Sequence, residues 1–457
     1  MCGIFGSNWI REEIINDGLD QIANRGPDQR SITKVDNFFL GANRLAIQAI
    51  GPEGDQPYVN DRYVMVYNGE LWSGDFAEGS SDGQYILDQI SKYGTDIIKS
   101  LDGMFAIVVY DKQEKKLIIA RDSLGEIPIY YSNKNGRFTF GSEMKSFIAT
   151  STVVSRKEIN LLTPGSILTF DGQNVSIESF YSLPQEEITD DIKTISNTFR
   201  TTIEQCVVKR IPNEVKYAVM LSGGIDSTII AYLLSRHNPS LEAFTVHVGD
   251  NAKAKKTNDL YYAREAAKWL GIKLHEVIIT EEQVIELLDA AVYTIEDKSW
   301  TQIASGLAHI AMAREIKKHG FKVVFGGGGS DEIFASYPAH KRWQWQDDQY
   351  DKGRRQLITN INKTNIIREN KCLMSEGIEL RSPFMDPSFV NYAINIPIQY
   401  RFMNSKMKPV LRMAFEGEIP EHILWREKVC EGEGTDVDRI IKPRKDEIKA
   451  MYDRWYP

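Results

Sequence analysis

Apolar and polar positions divide this chain into two regimes. Up to about residue 185 the apolar residues come in short alternating or continuous runs: Phe38–Leu40, Tyr63–Tyr67, Phe105–Tyr110, Leu117–Ala120, Ile129–Tyr131 and Phe138–Phe140. Such runs predict β-strands, and Asn135-Gly136 between the last two predicts a hairpin turn. A helical period occurs near Arg11–Ala23 and Gly83–Lys92, which predict two helices. Many short strands with few helices point to two packed sheets covered by helices. A strand over Ile167–Phe170 and a polar stretch around Leu183–Glu187 close this unit, and a helix near Asp191–Val208 opens the next. The expected domains are 1–190 and 191–457.

From about 215 the pattern alternates. Strands are expected at Tyr217–Leu221, Leu241–Val248, Lys273–Ile279 and Lys322–Phe325. Helices are expected at Ile229–Leu234, Leu260–Leu270, Ile285–Tyr293 and Ser305–His319, with a polar loop at Gly249–Thr257. Strand–helix alternation predicts a doubly wound parallel sheet whose ligands bind at the carboxyl ends of the strands. The chain from about 340 reads mainly helical.

Two strand-to-helix turns in this second half carry candidate chemistry. In Leu221-Ser222-Gly223-Gly224-Ile225-Asp226-Ser227-Thr228, backbone N–H groups converge at a helix start and the glycines admit an anion closely. Ser222, Ser227 and Thr228 add hydroxyl donors. Asp226 would repel a bare phosphate but suits Mg²⁺ held between carboxylate and phosphate. The spacing and lysine of a Walker A loop are absent. The second turn, Gly326-Gly327-Gly328-Gly329-Ser330-Asp331-Glu332, puts Asp331 where a second Mg²⁺ ligand facing Asp226 is expected. At the other end of the chain, Cys2 follows Met1. An initiator methionine is removed readily before a small side chain. The freed α-amine, with an ordinary pKa of about 8, can then take the thiol proton, so one residue supplies nucleophile and base.

Composition narrows the classes. A length of 457 residues suits two or three domains. A net charge of −8 argues against a nucleic-acid partner. No apolar run approaches the roughly 18 residues of a membrane span, and the first residues lack the character of a signal peptide, so a cytoplasmic enzyme with no membrane partner is expected. Cys2, Cys206, Cys372 and Cys430 are scattered, which indicates neither a disulfide framework nor zinc. The oligomeric state is open, with a homodimer as one expectation.

Cys2-Gly3-Ile4-Phe5-Gly6, Arg25-Gly26-Pro27-Asp28, Asn43–Ile47, Tyr67-Asn68-Gly69-Glu70, Ser81-Asp82, Asp102–Ala106 and Arg121–Gly125 resemble, in order and spacing, the class II glutamine amidotransferase domain. The Ser222–Ser227 loop resembles the SGGxDS pyrophosphate loop of enzymes that split ATP to AMP and pyrophosphate. With Glu379–Asp386, Lys408, Leu411-Arg412 and Trp425-Arg426-Glu427-Lys428, the chain resembles the asparagine synthetase family over nearly its whole length. The resemblance implies an α+β N-terminal-nucleophile (Ntn) hydrolase sandwich of αββα layers. An α/β doubly wound ATP-pyrophosphatase domain with a helical C-terminal part follows it.

The implied activity is a ligase's. Glutamine is hydrolysed, and its ammonia passes through an internal tunnel to a carboxylate acceptor activated as its acyl-AMP. Amide, AMP and pyrophosphate result, with ATP and Mg²⁺ as cofactors. The implied roles are Cys2 as nucleophile and Asn68 with the Gly69 N–H as oxyanion donors. Arg44 would hold the α-carboxylate of glutamine and Asp82 its α-ammonium, with Glu70 in the same pocket. Leu221, Ser222, Gly223, Gly224, Asp226, Ser227, Val246, Gly327 and Lys408 would hold ATP and pyrophosphate. Lys428 would neutralise the phosphates, and Asp226 and Asp331 would carry the metal.

The chain departs from the family at the acceptor. The family's Ser-Gly-Glu-Gly-Ser-Asp-Glu has Gly328 in place of its first glutamate, and a family arginine that holds aspartate falls on Ala304. An arginine–carboxylate bond is worth about 1.5–3 kcal/mol, so both changes predict an open, less charged acceptor cavity. Lys298, Gln302, Lys371 or Lys408 are the neighbours expected to compensate. Gln84, where the family has glutamate, should leave activity intact. Four readings remain: an amidotransferase with an altered acceptor, an authentic asparagine synthetase, an intramolecular amide-forming relative of the β-lactam synthetase or lasso-peptide cyclase type, and a non-catalytic regulator. Intact Cys2, Arg44, Asn68 and Asp82 weigh against the third, and the intact loop with Asp331 against the fourth.

Overall fold

The computed structural model describes residues 1–74, 80–249, 259–337, 347–403, 406–427 and 431–457. Its N-terminal part is built on two six-stranded antiparallel sheets. In the first, Cys2–Ser7 lies between Phe38–Arg44 and Arg137–Gly141; in the second, Gly103–Asp111 lies between Tyr63–Leu71 and Lys116–Arg121. Side-chain alternation sets the layers. Ile4 faces the inter-sheet core with Leu40, Val66 and Val108, while Phe5 points outward to Ile15, Leu19 and Phe147. On the far face of the second sheet, Met65, Tyr67 and Ile107 pack on Ile86, Leu87 and Ile90 of the Asp82–Tyr93 helix. The result is the expected αββα sandwich. Asn135 and Gly136 turn the hairpin with φ of 54° and 79°, the positive values such a two-residue turn requires.

Several elements carried no periodic signal. The strands Gln29–Val35 and Val175–Ser179 are largely polar, and the short helix Met144–Ala149 is a third where two were expected.

The second half is a five-stranded parallel sheet. Its order is Lys273–Ile279, Glu242–Val248, Tyr217–Met220, Val323–Phe325, Glu379–Arg381. Tyr217–Met220 starts the sheet, and the order runs away from it in both directions. The two glycine-rich turns therefore leave adjacent strands at the point where strand order reverses, where doubly wound folds bind ligands. The fifth strand was read as helical, because Glu379-Leu380-Arg381 is too short to show a period. The helix after the first turn is Ile225–Ser235, starting earlier than expected, so Asp226 stands in its first turn. Gly223 has φ of 68°, and a Cβ there would fall 2.2 Å from the Tyr262 carbonyl carbon, so no other residue fits this turn. The expected Gly249–Thr257 loop lies, from 250 onward, outside the described residues.

The Asn365–Met374 helix sits between the two halves, against the Trp300–Lys318 helix and the fifth strand. It buries Ile366, Leu373 and Met374, and with them Arg368, Glu369, Asn370 and Lys371. No described helix is long and apolar enough to cross a membrane.

Candidate active sites

The first site gathers at the start of the chain. In the sheet Cys2 stands opposite Arg44. The Cys2 backbone N–H donates to Asn68 Oδ1 at 2.7 Å, and Gln56 Nε2 donates to Cys2 Sγ at 3.2 Å. Gln56 is itself fixed by two bonds of 2.7 Å to the backbone of Tyr67. Asn68 Nδ2 is buried without a hydrogen-bond partner. An orphaned donor beside a nucleophile is what an oxyanion site leaves when empty of substrate. Gly69 follows in the same strand, where a Cβ would fall 2.2 Å from the Met104 carbonyl oxygen. Burial pushes the Cys2 thiol up, against the lowering pull of the nearby amine. Met1 is buried, and its ammonium donates to Glu379 Oε2 at 2.8 Å.

Arg44 is held by Asp55 at 2.8 Å and by the carbonyls of Gly51 and Ala49. Asp82 accepts from Tyr67 Oη at 3.1 Å and from the Leu71 N–H at 3.2 Å. Burial raises its pKa against these bonds. Glu70 faces Arg381 of the fifth parallel strand at 3.4 Å. Burial pushes Glu70 up to about 8 despite that arginine. Trp72 lies between two guanidinium groups, Arg210 at 4.6 Å and Arg381 at 5.1 Å from its ring. Gln56 had no sequence signal, because a glutamine in a loop carries no period.

The second site is a cavity of about 490 Å³ at the carboxyl ends of the parallel strands. Leu221, Ser222, Gly224, Asp226, Ser227 and Val246 line it, together with Gly327, Asp331 and Lys408. Gly223 shapes the turn and does not line the wall. Ser222 and Ser227 hydroxyls lie 3.1 Å apart, and Arg426 donates to the Ser222 carbonyl at 2.9 Å. Lys408 Nζ donates to Asp226 Oδ2 and Asp331 Oδ1, each at 2.7 Å. Lys408 is 2% exposed and holds φ of 55°, a left-handed conformation costly for lysine. Lys428 lies outside the described residues.

These residues fit Mg²⁺. Two carboxylates share one buried cation, the Lys408 ammonium, which marks a position of negative potential between them. Among the described residues no three His, Cys, Asp or Glu side chains converge. Mg²⁺ is held by one or two carboxylates plus substrate phosphates, and a fuller protein cage is not required.

The lining of this cavity corrects part of the sequence reading. Ala304 is fully buried in the apolar core with Ile303 and Leu307, away from the cavity wall. Lys371 donates to Tyr130 Oη at 3.1 Å and pairs with Glu296, also away from it. Lys298 does not line the wall either, whereas Gln302 and Lys408 do. The cavity is not stripped of charge: Arg368, Glu369 and Glu332 all line it. Arg368 Nη1 donates to Gln302 Oε1 and Asn365 Oδ1, both at 2.8 Å. Glu332 accepts from Tyr337 Oη at 2.6 Å, and burial and Asp331 raise its pKa.

Residues 1–182 match the model of the glutamine amidotransferase domain, and residues 198–358 and 347–436 match that of asparagine synthase. The chain is 31% identical over 465 residues to asparagine synthetase [glutamine-hydrolyzing] 3 of Arabidopsis thaliana, covering 94% of this chain and 78% of the relative. It is 30% identical to asparagine synthetase B [glutamine-hydrolyzing] of Escherichia coli K12, covering 94% and 81%. Among solved structures, a glutamine phosphoribosylpyrophosphate amidotransferase from B. subtilis superposes with a TM-score of 0.33 at 15% identity, over 71% of this chain and 81% of that one. Both halves of the chain, and the order in which they come, thus match one family over most of its length: the chain belongs to the glutamine-hydrolysing asparagine synthetases.

Proposed function

We propose that this chain moves the amide nitrogen of glutamine onto a small, charged carboxylic acid of the aspartate class, through an acyl-adenylate, using domains 1–190 and 191–457. One observation carries the reading: a single helix joins the two sites. Asn370 accepts from Arg25 Nη2 at 3.0 Å, and Arg25 Nε donates to the Cys2 carbonyl at 3.0 Å. The preceding residues of the same helix, Arg368 and Glu369, line the ATP-side cavity. Between the two sites is a small cavity of about 10 Å³ lined by Met104, Glu126, Ile366, Asn370, Leu380 and Ser382. That is about the room of one water-sized molecule, which suits ammonia in transit. The Met1 sulfur packs on Asn370, so loss of Met1 opens space beside this cavity.

At the first site Cys2 Sγ attacks the glutamine amide, and its own α-amine, freed of Met1, takes the thiol proton. Asn68 Nδ2 and the Gly69 N–H bind the oxyanion. Arg44 and Asp82 hold the α-carboxylate and α-ammonium, and Glu70 closes the pocket. At the second site Ser222, Gly224 and Ser227 cradle the β- and γ-phosphates, with Gly223 setting the turn. Leu221, Val246 and Gly327 pack the nucleoside. Lys408 and Lys428 add positive charge. Asp226 and Asp331 would hold Mg²⁺, which when bound would supply charge neutralisation for the departing pyrophosphate. The acceptor is altered in where its charges are read: from Arg368 and Gln302, not from positions 304 and 328. A homodimer remains compatible with this reading.

The test is Cys2→Ala in the full chain. Glutamate release from glutamine should vanish, while amide formation from added ammonium persists, because the cavity at Asp226 is untouched. Undiminished glutaminase activity in Cys2→Ala would contradict the assignment.

A further inference from the structure

We infer that Glu369 is the general base of the amide-forming step, and that residue 328 is glycine because the Glu369 carboxylate fills the space a side chain would need. The inference rests on the adenylating function proposed above. Gly329 has φ of 91° and needs to be glycine for its conformation. Gly328 has no such φ; what excludes a side chain there is space. A Cβ on it would lie 2.7 Å from Glu369 Oε2 and 3.2 Å from Ile366 Cδ1. A carboxylate carried by another helix therefore stands over the second glycine-rich turn.

Its place suits the chemistry. The neighbouring Gly327 packs on Asp226, its missing Cβ 3.0 Å from the Asp226 Cβ, so Glu369 Oε2 is one residue along the turn from the proposed phosphate and metal site. The other oxygen, Oε1, accepts from Arg368 Nη2 at 3.4 Å, and Arg368 is anchored by Gln302 and Asn365. The carboxylate is thus oriented. One residue on in the same helix, Asn370 lines the ammonia-sized cavity. Glu369 stands where ammonia leaves that cavity for the adenylate.

The step balances. The ammonia lone pair attacks the acyl carbon, and a C–N bond forms. The C–O bond to the phosphate breaks, and AMP leaves with its electron pair. The attached nitrogen, now cationic, loses one proton to Glu369 Oε2, and the neutral amide remains. A positioned base contributes about a hundredfold or more to such a step.

The experiment uses the full chain with ATP, Mg²⁺ and ammonium chloride, and L-aspartate, L-glutamate, L-malate and succinate as acceptors. Pyrophosphate exchange into ATP reports adenylation, and mass spectrometry reports amide. Glu369→Gln should keep exchange within about threefold of the native chain and lose amide formation by about a hundredfold. Gly328→Glu placed on Glu369→Ala should recover amide formation to within about tenfold, because the carboxylate returns to the same space from the other side. Glu369→Gln making amide at the native rate would overturn this inference while leaving the adenylating function intact. So would equal loss of exchange and amide formation with no recovery in the double variant, since that is a folding defect. A native chain that shows exchange with none of the acceptors would overturn the proposed function, and this inference with it.

Discussion

At the scale of single residues, Lys408 is the shared counter-charge of two carboxylates in the ATP-side cavity. Its ammonium bridges Asp226 and Asp331, and the chain accepts a left-handed φ of 55° to bring it there. Lys408→Met leaves two facing carboxylates with no shared counter-charge, and a buried group left unsatisfied costs about 1–3 kcal/mol. The variant should lose about that much unfolding free energy in chelator, and millimolar Mg²⁺ should restore most of it. Equal stability of the two proteins with and without Mg²⁺ would show that Lys408 is not holding the place of a cation. Residues in this turn were legible in the sequence because strand, glycines, carboxylate and helix follow one another in eight positions. Glu369 and Arg368 were not. Arg368-Glu369-Asn370-Lys371 reads as a solvated face of a helix, and only the fold shows that all four are buried. Gly328 was legible as a missing carboxylate, but not as the space in which a replacement sits.

At the scale of elements, the fifth parallel strand is the contact between the two chemistries. Glu379 pairs with the Met1 ammonium, Arg381 with Glu379 at 2.7 Å and with Glu70 at 3.4 Å, and Arg381 stacks on Trp72. Burial raises Glu70 from 4.5 to about 8. Between those values the folded chain holds a proton that the unfolded chain has released. The stability from this group is therefore complete below about pH 4.5 and is lost as pH rises through about 8, by up to about 1.4 kcal/mol per pH unit for one proton. Glu70→Gln should remove that component. Measured by urea unfolding between about pH 5 and pH 8, the native chain should fall in stability relative to the variant. Parallel curves would mean that Glu70 is not held protonated by its surroundings. The strand that makes this contact had no sequence signal, since three residues cannot show a period. The strands Tyr63–Leu71 and Tyr217–Met220 did, because apolar runs of four or more bounded by turns report burial on both faces. Strand–helix alternation made the parallel sheet legible but not its strand order, and the packing of the Asn365–Met374 helix between the halves depends on contacts far apart in the chain.

At the scale of the whole molecule, two sites of different fold ancestry are coupled by a buried polar network. Arg25 joins Cys2, Glu143 and Asn370, and Lys371 on the same helix reaches Tyr130. The glutaminase half is thus seated on the helix that carries the proposed base. On the proposed function, nitrogen leaves glutamine at one site and enters an adenylated carboxylate at the other. The most direct measurement supplies glutamine labelled with ¹⁵N at its amide, unlabelled ammonium in excess, ATP-Mg²⁺ and the acceptor panel headed by L-aspartate, and follows products by mass spectrometry. The account predicts AMP, pyrophosphate and amide in equal amounts, with the amide carrying mostly ¹⁵N. ADP and phosphate as the nucleotide products, or an amide labelled only in proportion to free ammonium, would contradict it.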